Sequence, residues 1–464
     1  MSIMSLQNVS PIDGRYKKYT ESLSPYFSEY ALSRYKVLME CEYLIALSET
    51  PGVKMRKFSA KEKELIRSLY NNFSVEDAQI INDIELRGYK DIKATNHDFK
   101  AIEYFLKDNL GKTSLKDSLE WIHFGLTSED ANNIAYGLMI QESLRDVVNP
   151  ALNNVIKGID GLAKAGKKIP MLARTHGQPA SPTTFGKEFK NFSVRLERVL
   201  SKIKKHRVQA KLNGATGNYN ALAAAFPKTD WIKFSKIFID KINKQRKVNL
   251  EVNLLTTQIE PHDSYAELFN MLMRANTIII GLDQDIWRYI SDGWIGQKQV
   301  AGEIGSSTMP HKINPIFVEN SEGNLGMANA VLGFLSEKLP ISRLQRDLSD
   351  STVLRNIGVA FGHSLIGYQY LGKQLGRIVI NKEKAMADLN CHPEVIAEAI
   401  QTILRREGAS MPYEKLKELT RGRLVTSGDL EKFIDSLDVN DAVKSELKKI
   451  RPENYIGLAE KLAE

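Results

Sequence analysis

The stretch LRDVVNPALNNVIKGIDGLA, at Leu144–Ala163, carries a pronounced helical pattern. Its apolar residues recur at spacings of four and three and therefore share one face of a helix: Leu144, Val148, Leu152, Val155, Ile159 and Leu162. The helix is expected to end in the following KAGKKIP, because Gly166 and Pro170 are typical of helix C-termini. A helix with this stripe needs an apolar partner surface.

Two more long stripes supply such partners. One begins after Ser181–Pro182, a pair typical of a helix start, and continues from Phe185 to Ile203; the other runs from Leu268 to Tyr289. Helices of this length bury their stripes best against one another in a bundle. Alternating patterns typical of strands are nearly absent. We therefore predict an all-α fold with a central long-helix bundle.

The chain has 464 residues, which is enough for about three folding units. The patterns predict an N-terminal helical domain at residues 1–111, a central long-helix domain at 112–374 and a C-terminal helical domain at 375–464. The central helices carry more apolar residues than one bundle needs. We therefore expect the chain to form an oligomer through them.

Composition excludes several classes of protein. The chain is 42% hydrophobic and 26% charged, which is ordinary for a globular protein. No stretch approaches the roughly 18 apolar residues that span a bilayer, and the N-terminal sequence lacks a secretory pattern, so no membrane association is expected. Cys41 and Cys391 are the only cysteines, which excludes a disulfide framework and fits a reducing cytoplasm.

The net charge of +8 suits an anionic partner. The densest basic run, KINKQRK at Lys241–Lys247, lacks aromatic residues that could stack on bases, and it is interpreted as a solvated surface segment. Nucleic acid is therefore not the expected partner. The positive excess fits a small anionic substrate instead.

Polar segments without helical periodicity lie between the predicted helices. They are rich in His, Arg, Asn, Ser and Thr, the residue types that bind anions and move protons. We call them islands, and in chain order they are SPIDGRY (Ser10–Tyr16), ATNHDFKA (Ala94–Ala101), HFGLTSEDANN (His123–Asn133), ARTHGQPAS (Ala173–Ser181), TTQIEPHD (Thr256–Asp263), AGEIGSSTMPHKINP (Ala301–Pro315) and QRDLSDSTVLRN (Gln345–Asn356).

Histidines in these islands are candidates for proton transfer, because an imidazole titrates near neutrality. His176 stands in a loop between two long helices beside Arg174, and this polar setting favours a functional role over a structural one. For His97 the two roles are balanced. Packing explains His123 equally well, and capping explains His262. No HExxH motif, histidine pair at i and i+4, or cysteine ligand predicts a metal site.

The island at Ala301–Pro315 combines glycines and small hydroxyls that could hold an anion. It lacks the GK[ST] of a phosphate-binding P-loop and the GxGxxG of a dinucleotide site. A flexible connection would explain the glycines and serines. It would not explain His311, Lys312 and Asn314 between two prolines.

GSSTMPHKINP, at Gly305–Pro315, resembles the signature of the fumarase/aspartase superfamily, whose core is GSSxMPxKxN. Within that superfamily, SPIDGRY, TNHD, HFGLTSED, RTHGQPA, TTQIEPHD and RDLSDSTVLRN resemble motifs of the adenylosuccinate lyase family. The similarity extends to YEKLKELTRG at Tyr413–Gly422, and Asp240–Leu254 is the segment least similar. The resemblance implies a three-domain, all-α homotetramer in which each active site takes loops from three subunits.

The resemblance also implies an activity. The family cleaves adenylosuccinate to AMP and fumarate, and the succinyl-carboxamide ribotide SAICAR to AICAR and fumarate, without a cofactor, in purine nucleotide synthesis. A base removes a proton from the succinyl carbon beside a carboxylate, a carbanion forms, and an acid protonates the leaving nitrogen.

The roles carried over by position are those of the matching motifs. Ser306 matches the base, with Ser307 as the open alternative, and His176 matches the acid, a role that His97 could share. Lys312 and Asn314 are suited to stabilising the carbanion, and Glu319 matches the acidic partner of the catalytic histidine. The implied substrate-binding residues are Arg15, Tyr16, Asn96, His97, Asp98, Thr127, Ser128, Gln258, Ser307, Lys312, Asn314, Asn320, Arg346, Ser351, Thr352, Val353, Leu354 and Arg355.

Two other functions are alternatives to adenylosuccinate cleavage. Argininosuccinate lyase, fumarase and aspartase share the GSS loop, but TNHD, THGQPA and TTQIEPHD favour the purine substrate. A non-catalytic scaffold would have no reason to keep His176, Ser306, Lys312 and Asn314 together.

Overall fold

The structure is a computed structural model that describes residues 6–298, 309, 313–420 and 425–464. Helices dominate it, which confirms the predicted all-α class. The helices between residues 17 and 110 are α1 (Lys17–Thr20), α2 (Ser24–Phe27), the long α3 (Glu29–Glu49), α4 (Ala60–Asn71), α5 (Val75–Leu86) and α6 (Asp98–Leu110), with 3-10 turns at Glu21–Leu23 and Lys116–Trp121.

Three of the long helices follow the three predicted apolar stripes. The largest has 29 residues and is therefore about 44 Å long. Its stripe from Leu268 to Ile286 is buried along four successive turns and more. The long helices are α7 (Ser128–Ser143), α8 (Asn149–Gly166), α9 (Phe185–Lys205), α12 (Asp263–Ser291), α13 (Ile316–Lys338) and α15 (Ile357–Leu375).

The remaining helices have 16 residues or fewer. Segment 240–254, the least familiar by sequence, contains the end of one of them and a short strand. These helices are α10 (Asn220–Ala225), α11 (Trp231–Arg246), α14 (Ser349–Leu354), α16 (Lys382–Asn390), α17 (Ala397–Arg406), α18 (Pro412–Thr420), α19 (Ser427–Asp435), α20 (Asp441–Lys448) and α21 (Ala459–Leu462), with a 3-10 turn at Pro393–Ile396.

A π-helical turn, Leu144–Val148, joins α7 to α8 and lies inside the stretch that predicted a helix. Pro150 is the second residue of α8; it has no N–H to donate to residue 146, and its ring would collide with that carbonyl in a regular α-helix. The wider turn relieves this conflict. The stripe residues Leu144, Val148 and Leu152 are buried, and α8 ends at Gly166 as predicted.

Strands are few and short in the described part of the chain. They form three two-stranded sheets: β1–β2 and β5–β6 are antiparallel, and β3–β4 is parallel. Their bounds are β1 (Pro170–Thr175), β2 (Gln178–Thr184), β3 (Val208–Ala210), β4 (Leu250–Val252), β5 (Ile295–Gln297) and β6 (Ile378–Ile380).

The helix start predicted at Ser181–Pro182 is wrong. These residues lie in β2, whose pairing with β1 continues to Thr184 opposite Pro170. Helix α9 begins at Phe185 instead, and the Thr184 hydroxyl accepts a hydrogen bond from the Lys187 N–H at 3.2 Å, as a capping side chain does.

The chain divides into two compact units. The first contains Met1–Ala151, Val199–Asn276 and Asn324–Ile366; the second contains Leu152–Arg198, Thr277–Gly323 and Gly367–Glu464. The three-domain division at residues 111 and 374 remains a prediction. Within the described residues, no helix is both long enough and apolar enough to cross a membrane.

Candidate active site

The predicted site residues fall into both units. The first unit holds the site residues of five islands: the one at the N-terminus, those at the starts of α6 and α7, the one before α12 and the one that includes α14. The second unit holds His176, Asn314, Glu319 and Asn320. The predicted base Ser306, its alternative Ser307, and Lys312 lie outside the described residues.

In the first unit, Arg346 is the point where three islands meet. Its Nη1 donates to Gln258 Oε1 at 3.3 Å, and its Nη2 lies 2.9 Å from Glu129 Oε1. Asp350 Oδ1 is 3.9 Å from the same Nη2. The structure thus brings together two predicted binding residues, Gln258 and Arg346, together with two buried carboxylates that sequence reasoning did not single out.

The NHD island begins helix α6. His97 is the N-cap residue, and its Nδ1 accepts a hydrogen bond from the Lys100 N–H at 3.3 Å, while its side chain is exposed. Asp98 forms an ion pair with the buried Lys36. Burial would raise the pKa of Asp98, but the Lys36 ammonium outweighs it and lowers the pKa below its usual range. Asp98 is therefore a fixed carboxylate.

Arg355, at the end of the STVLR segment, pairs with Glu29, whose Oε1 and Oε2 each lie 2.6 Å from Nη1. Hydrogen bonding to Glu29 raises the pKa of Arg355, and the charge of Asp98 contributes in the same direction. Arg355 also borders a cavity of about 230 Å³, lined as well by Ser10 and Asp13 of the first island. The first and last islands of this unit therefore meet at one cavity.

The remaining first-unit candidates occupy loop and helix starts. Arg15 is exposed, and the half-buried Tyr16 is the N-cap of α1. Thr127 caps α7, and its N–H donates to Asp130 Oδ2 at 2.9 Å. Asn96 precedes His97 with a φ of 50°. The segment Ser351–Leu354 lies in α14, where Leu354 is buried and so contributes packing.

A buried ion pair fixes the start of α7. The Asp130 carboxylate accepts hydrogen bonds from Lys211 Nζ at 2.9 Å and from the N–H groups of Asn213 and Gly214 at 2.9 and 3.1 Å. The side chains of Asp130 and Lys211 are both fully buried. Thr127, which shares the Asp130 carboxylate, is thus held by the protein interior.

His123 is a polar residue whose role sequence reasoning left undecided. Its Nδ1 lies 2.7 Å from Glu40 Oε1, and Glu40 is only 2% exposed. Burial would lower the pKa of His123, but the Glu40 carboxylate outweighs it and raises the pKa above its usual value. In the sequence, the indication of this buried ion pair was Glu40 itself, a charged residue within the apolar run LMECEYLIAL of α3.

His176 occupies the tip of the β1–β2 hairpin in the second unit. The loop has two residues, His176 and Gly177, and their φ values of 54° and 77° identify a type I′ turn, whose twist suits a hairpin. The ring is exposed, and no hydrogen bond to it occurs within the described residues. The predicted loop is therefore a tight two-residue hairpin turn that presents the imidazole to its surroundings.

Within the second unit, both strands of this hairpin are anchored. The Arg174 guanidinium lies over the Trp294 ring, 5.9 Å from its centre, and Trp294 Nε1 donates to Asp388 at 2.7 Å. On the other strand, Ser181 donates to Glu398, which also accepts from the Tyr455 hydroxyl at 2.9 Å. These contacts fix the strands that carry His176.

Glu319 lies in the first turn of α13, Asn320 follows it, and the half-buried Asn314 lies just before the helix. Glu319 Oε1 accepts a hydrogen bond from Trp287 Nε1 at 3.2 Å, and Asn320 Nδ2 donates to the Ile316 carbonyl at 2.7 Å. In the described part of the second unit, no hydrogen bond joins Glu319 to His176. Neither unit shows a cluster of His, Cys, Asp and Glu side chains that could hold a metal ion, as far as its residues are described.

These arrangements suit an anionic ligand and a proton transfer. Arg346 and Arg355 offer guanidinium groups, which match carboxylate and phosphate in geometry. Gln258 and Thr127 offer neutral hydrogen-bonding groups. His176 offers an exposed ring nitrogen on a fixed support.

Comparison with known proteins gives full-length matches. A family model described as "Lyase" matches residues 14–333, and one described as "Adenylosuccinate lyase C-terminal" matches residues 342–456. The chain is 47% identical over 466 residues to an adenylosuccinate lyase of Vibrio cholerae, with 100% of each chain covered. It is 48% identical over 468 residues to one of Dictyostelium discoideum, covering 99% of this chain and 98% of the relative.

Among solved structures, the fold is similar to that of a fumarate lyase from Mesorhizobium sp. BNC1. The TM-score is 0.71 at 17% sequence identity, and 96% of each chain is covered. At that identity the likeness concerns the fold. It confirms the predicted fumarase/aspartase-like architecture.

Proposed function

Because the chain belongs to the adenylosuccinate lyase family, we propose that it cleaves adenylosuccinate to AMP and fumarate, and SAICAR to AICAR and fumarate. The observation that carries this proposal is the 45–48% identity to adenylosuccinate lyases over 98–100% of the chain. The enzyme is then a C–N lyase of purine nucleotide synthesis that works without a cofactor.

We assign proton transfer to two residues. Ser306 is the proposed base that takes the proton from the succinyl carbon, and His176 is the proposed acid that protonates the leaving nitrogen; His97 is a less favoured acid because its ring nitrogen caps α6. The type I′ turn, which exposes the His176 ring, supports this role, since an acid must stand within hydrogen-bond reach of the atom it protonates.

The carbanion formed after proton loss needs nearby positive charge. Lys312 and Asn314 are the proposed donors, because a cation and an amide placed where negative charge develops lower the barrier most. The Lys312 ammonium would also lower the cost of forming the Ser306 alkoxide.

Substrate binding is assigned to the first-unit islands. Arg346 is held in place and is the proposed partner of one anionic group of the substrate. Arg355 is the second; its present partner Glu29 has a side chain that is 75% exposed, and such exposed pairs contribute only about 0–1 kcal/mol. A phosphate can therefore replace Glu29 at little cost. The other predicted binding residues complete this surface.

A homotetramer with shared active sites is the proposed assembly. Helix α13 carries no charge from Gly323 to Ser336, and its exposed side includes Met327 at 54% and Phe334 at 56%. A face of this kind is typical of an interface between subunits. Within the described residues of one chain, Glu319 accepts a hydrogen bond from Trp287 and none joins it to His176, so we assign the proposed His176–Glu319 pair to two different subunits.

The proposal is tested by fumarate release from adenylosuccinate with the intact protein and with Ser306→Ala and His176→Ala. We expect each variant to lower turnover by about 100-fold or more while the tetramer persists in light scattering. His392→Ala, a histidine of the second unit outside every island, is the control and should retain activity. Near-normal activity in either active-site variant would refute its assigned role. The proposed location is the cytoplasm.

A further inference from the structure

We infer that Glu129 is a positioning residue, whose carboxylate holds the Arg346 guanidinium ready for the substrate. The inference rests on the proposed function, in which Arg346 binds an anionic group. Glu129 belongs to the HFGLTSEDANN island but matches none of the roles assigned above. Its Oε1 is the nearest carboxylate oxygen to Arg346, at 2.9 Å.

Arg346 is clamped at both ends of its guanidinium. Glu129 takes Nη2, and Gln258 takes Nη1 at 3.3 Å. The backbone of Gln258 is fixed beside Arg346, because its N–H donates to the Gln345 carbonyl at 3.2 Å. The Glu129 carboxylate is anchored on its own helix by Asn132 Nδ2 at 2.8 Å. The guanidinium therefore cannot turn without breaking contacts to two separate parts of the unit.

Glu129 is strongly bound to this arrangement because its side chain is only 2% exposed. Burying a carboxylate without a cation raises the free energy of the folded state, so burial of the Glu129 carboxylate requires the Arg346 charge. The dependence runs both ways. Without the Glu129 charge, Arg346 would lose its closest partner and regain the rotamers of a long side chain.

Asp350 does not substitute for Glu129. Its Oδ1 lies 3.9 Å from Nη2, beyond hydrogen-bond distance, whereas Glu129 Oε1 lies 2.9 Å from the same nitrogen. Burial, reinforced by the charge of Glu129, raises the pKa of Asp350. The ring of His262, the other titratable group beside Asp350, is fully buried, and burial lowers its pKa to about 4. Glu129 thus supplies the negative charge that fixes Arg346.

A held guanidinium binds an anion without first being ordered. An arginine side chain carries rotamer entropy equivalent to about 30-fold in binding, which Glu129 and Gln258 remove beforehand. A displaced binding group also places the reacting end of the substrate less exactly, which lowers kcat as well. Loss of the Glu129 charge should therefore act chiefly on KM and secondarily on kcat.

The experiment is a double-mutant cycle on the intact enzyme with adenylosuccinate as substrate. Glu129→Gln is expected to raise KM by about 10- to 30-fold. In an Arg346→Ala background the same substitution should change kcat/KM by less than about threefold, because the group through which it acts is gone. Equal effects of Glu129→Gln in both backgrounds would overturn the inference.

Glu142→Gln is the matched control. Glu142 lies on the same helix, is 3% exposed, and also pairs with an arginine, since Arg246 Nε is 2.7 Å from its Oε1. It should lower the unfolding midpoint while leaving KM within about twofold of the parent. A rise in KM like that of Glu129→Gln would show a general effect of buried charge and would overturn the inference.

A crystal structure of Glu129→Gln separates this inference from the proposed function. We expect the Arg346 side chain to leave the position between residues 129 and 258, or to occupy several positions. An unchanged Arg346 would overturn the inference whatever the activity. An inactive parent enzyme would refute the proposed function, and the placement of Arg346 would still be decided by the electron density.

Discussion

The buried pair Asp130–Lys211 offers the sharpest test of what holds the candidate site in place. The Asp130 carboxylate has four donors: Lys211 Nζ and the N–H groups of Thr127, Asn213 and Gly214. Lys211 Nζ has one further acceptor, the Gly214 carbonyl at 2.9 Å. The two members of the pair therefore depend on each other to different degrees.

Asp130→Asn should be the more damaging substitution. It leaves the Lys211 charge buried with a single carbonyl partner and turns an amide N–H₂ toward groups that can only donate. Leaving one charge of a buried pair uncompensated costs about 3–5 kcal/mol. Lys211→Met removes the cation, but the carboxylate keeps three backbone donors, so we expect about 2 kcal/mol.

The assay is equilibrium urea unfolding, in which the shift of the midpoint multiplied by the m-value gives the change in free energy of unfolding. The double variant Asp130→Asn/Lys211→Met should be more stable than Asp130→Asn alone, because no buried charge then lacks a partner. Asp108→Asn, which breaks the exposed pair with Lys90, is the control and should change stability by less than about 1 kcal/mol. A Lys211→Met variant less stable than Asp130→Asn would refute this reasoning.

Three further outcomes are expected. Burial lowers the pKa of His262 to about 4, so between pH 6.5 and 4 the unfolded chain binds a proton that the folded chain does not. The free energy of unfolding should therefore fall by up to about 3 kcal/mol on acidification through this window. In His262→Asn the urea midpoint should depend less on pH in this window, and an unchanged dependence would contradict the assignment. Since Glu40 raises the pKa of His123, Glu40→Gln should lower it in an NMR titration, and an unchanged value would show that the pair is not the cause. Gly125→Ala should lower the melting temperature measured by calorimetry, because the φ of Gly125 is 71° and the added Cβ would collide with Leu222. Gly161→Ala in α8 meets open space and should be neutral or stabilising by about 0.5–1 kcal/mol. Equal melting temperatures of the two variants would refute the strain argument.

The long helices could be predicted because their apolar residues are local and periodic. The β1–β2 hairpin was not predicted because its sequence carries no such local signal. Pro170 and Pro182 disfavour a strand, and the two short strands show no clear alternation of apolar and polar residues. The only local signal was the pair His176–Gly177, two residues that accept the left-handed backbone of a type I′ turn. Recognising it would have moved the start of α9 from Ser181 to Phe185.

The motifs predicted which residues belong to the site, but not which side chains contact each other. The islands named Arg346, Gln258 and His176, yet the carboxylate that holds Arg346 lies more than 200 positions away in sequence and reads as an ordinary first-turn residue of α7. Sequence periodicity carries no information on such pairs. Charges inside apolar runs, such as Glu40 in α3, were the one usable sign of buried ion pairs.

The central claim is the reaction, and the most direct measurement is ultraviolet absorbance during incubation of the purified protein with adenylosuccinate, argininosuccinate, malate or aspartate. We expect conversion of adenylosuccinate to AMP and fumarate, and none of the other three substrates consumed at a comparable rate. No turnover of adenylosuccinate by tetrameric protein, or a preference for one of the other substrates, would contradict the account.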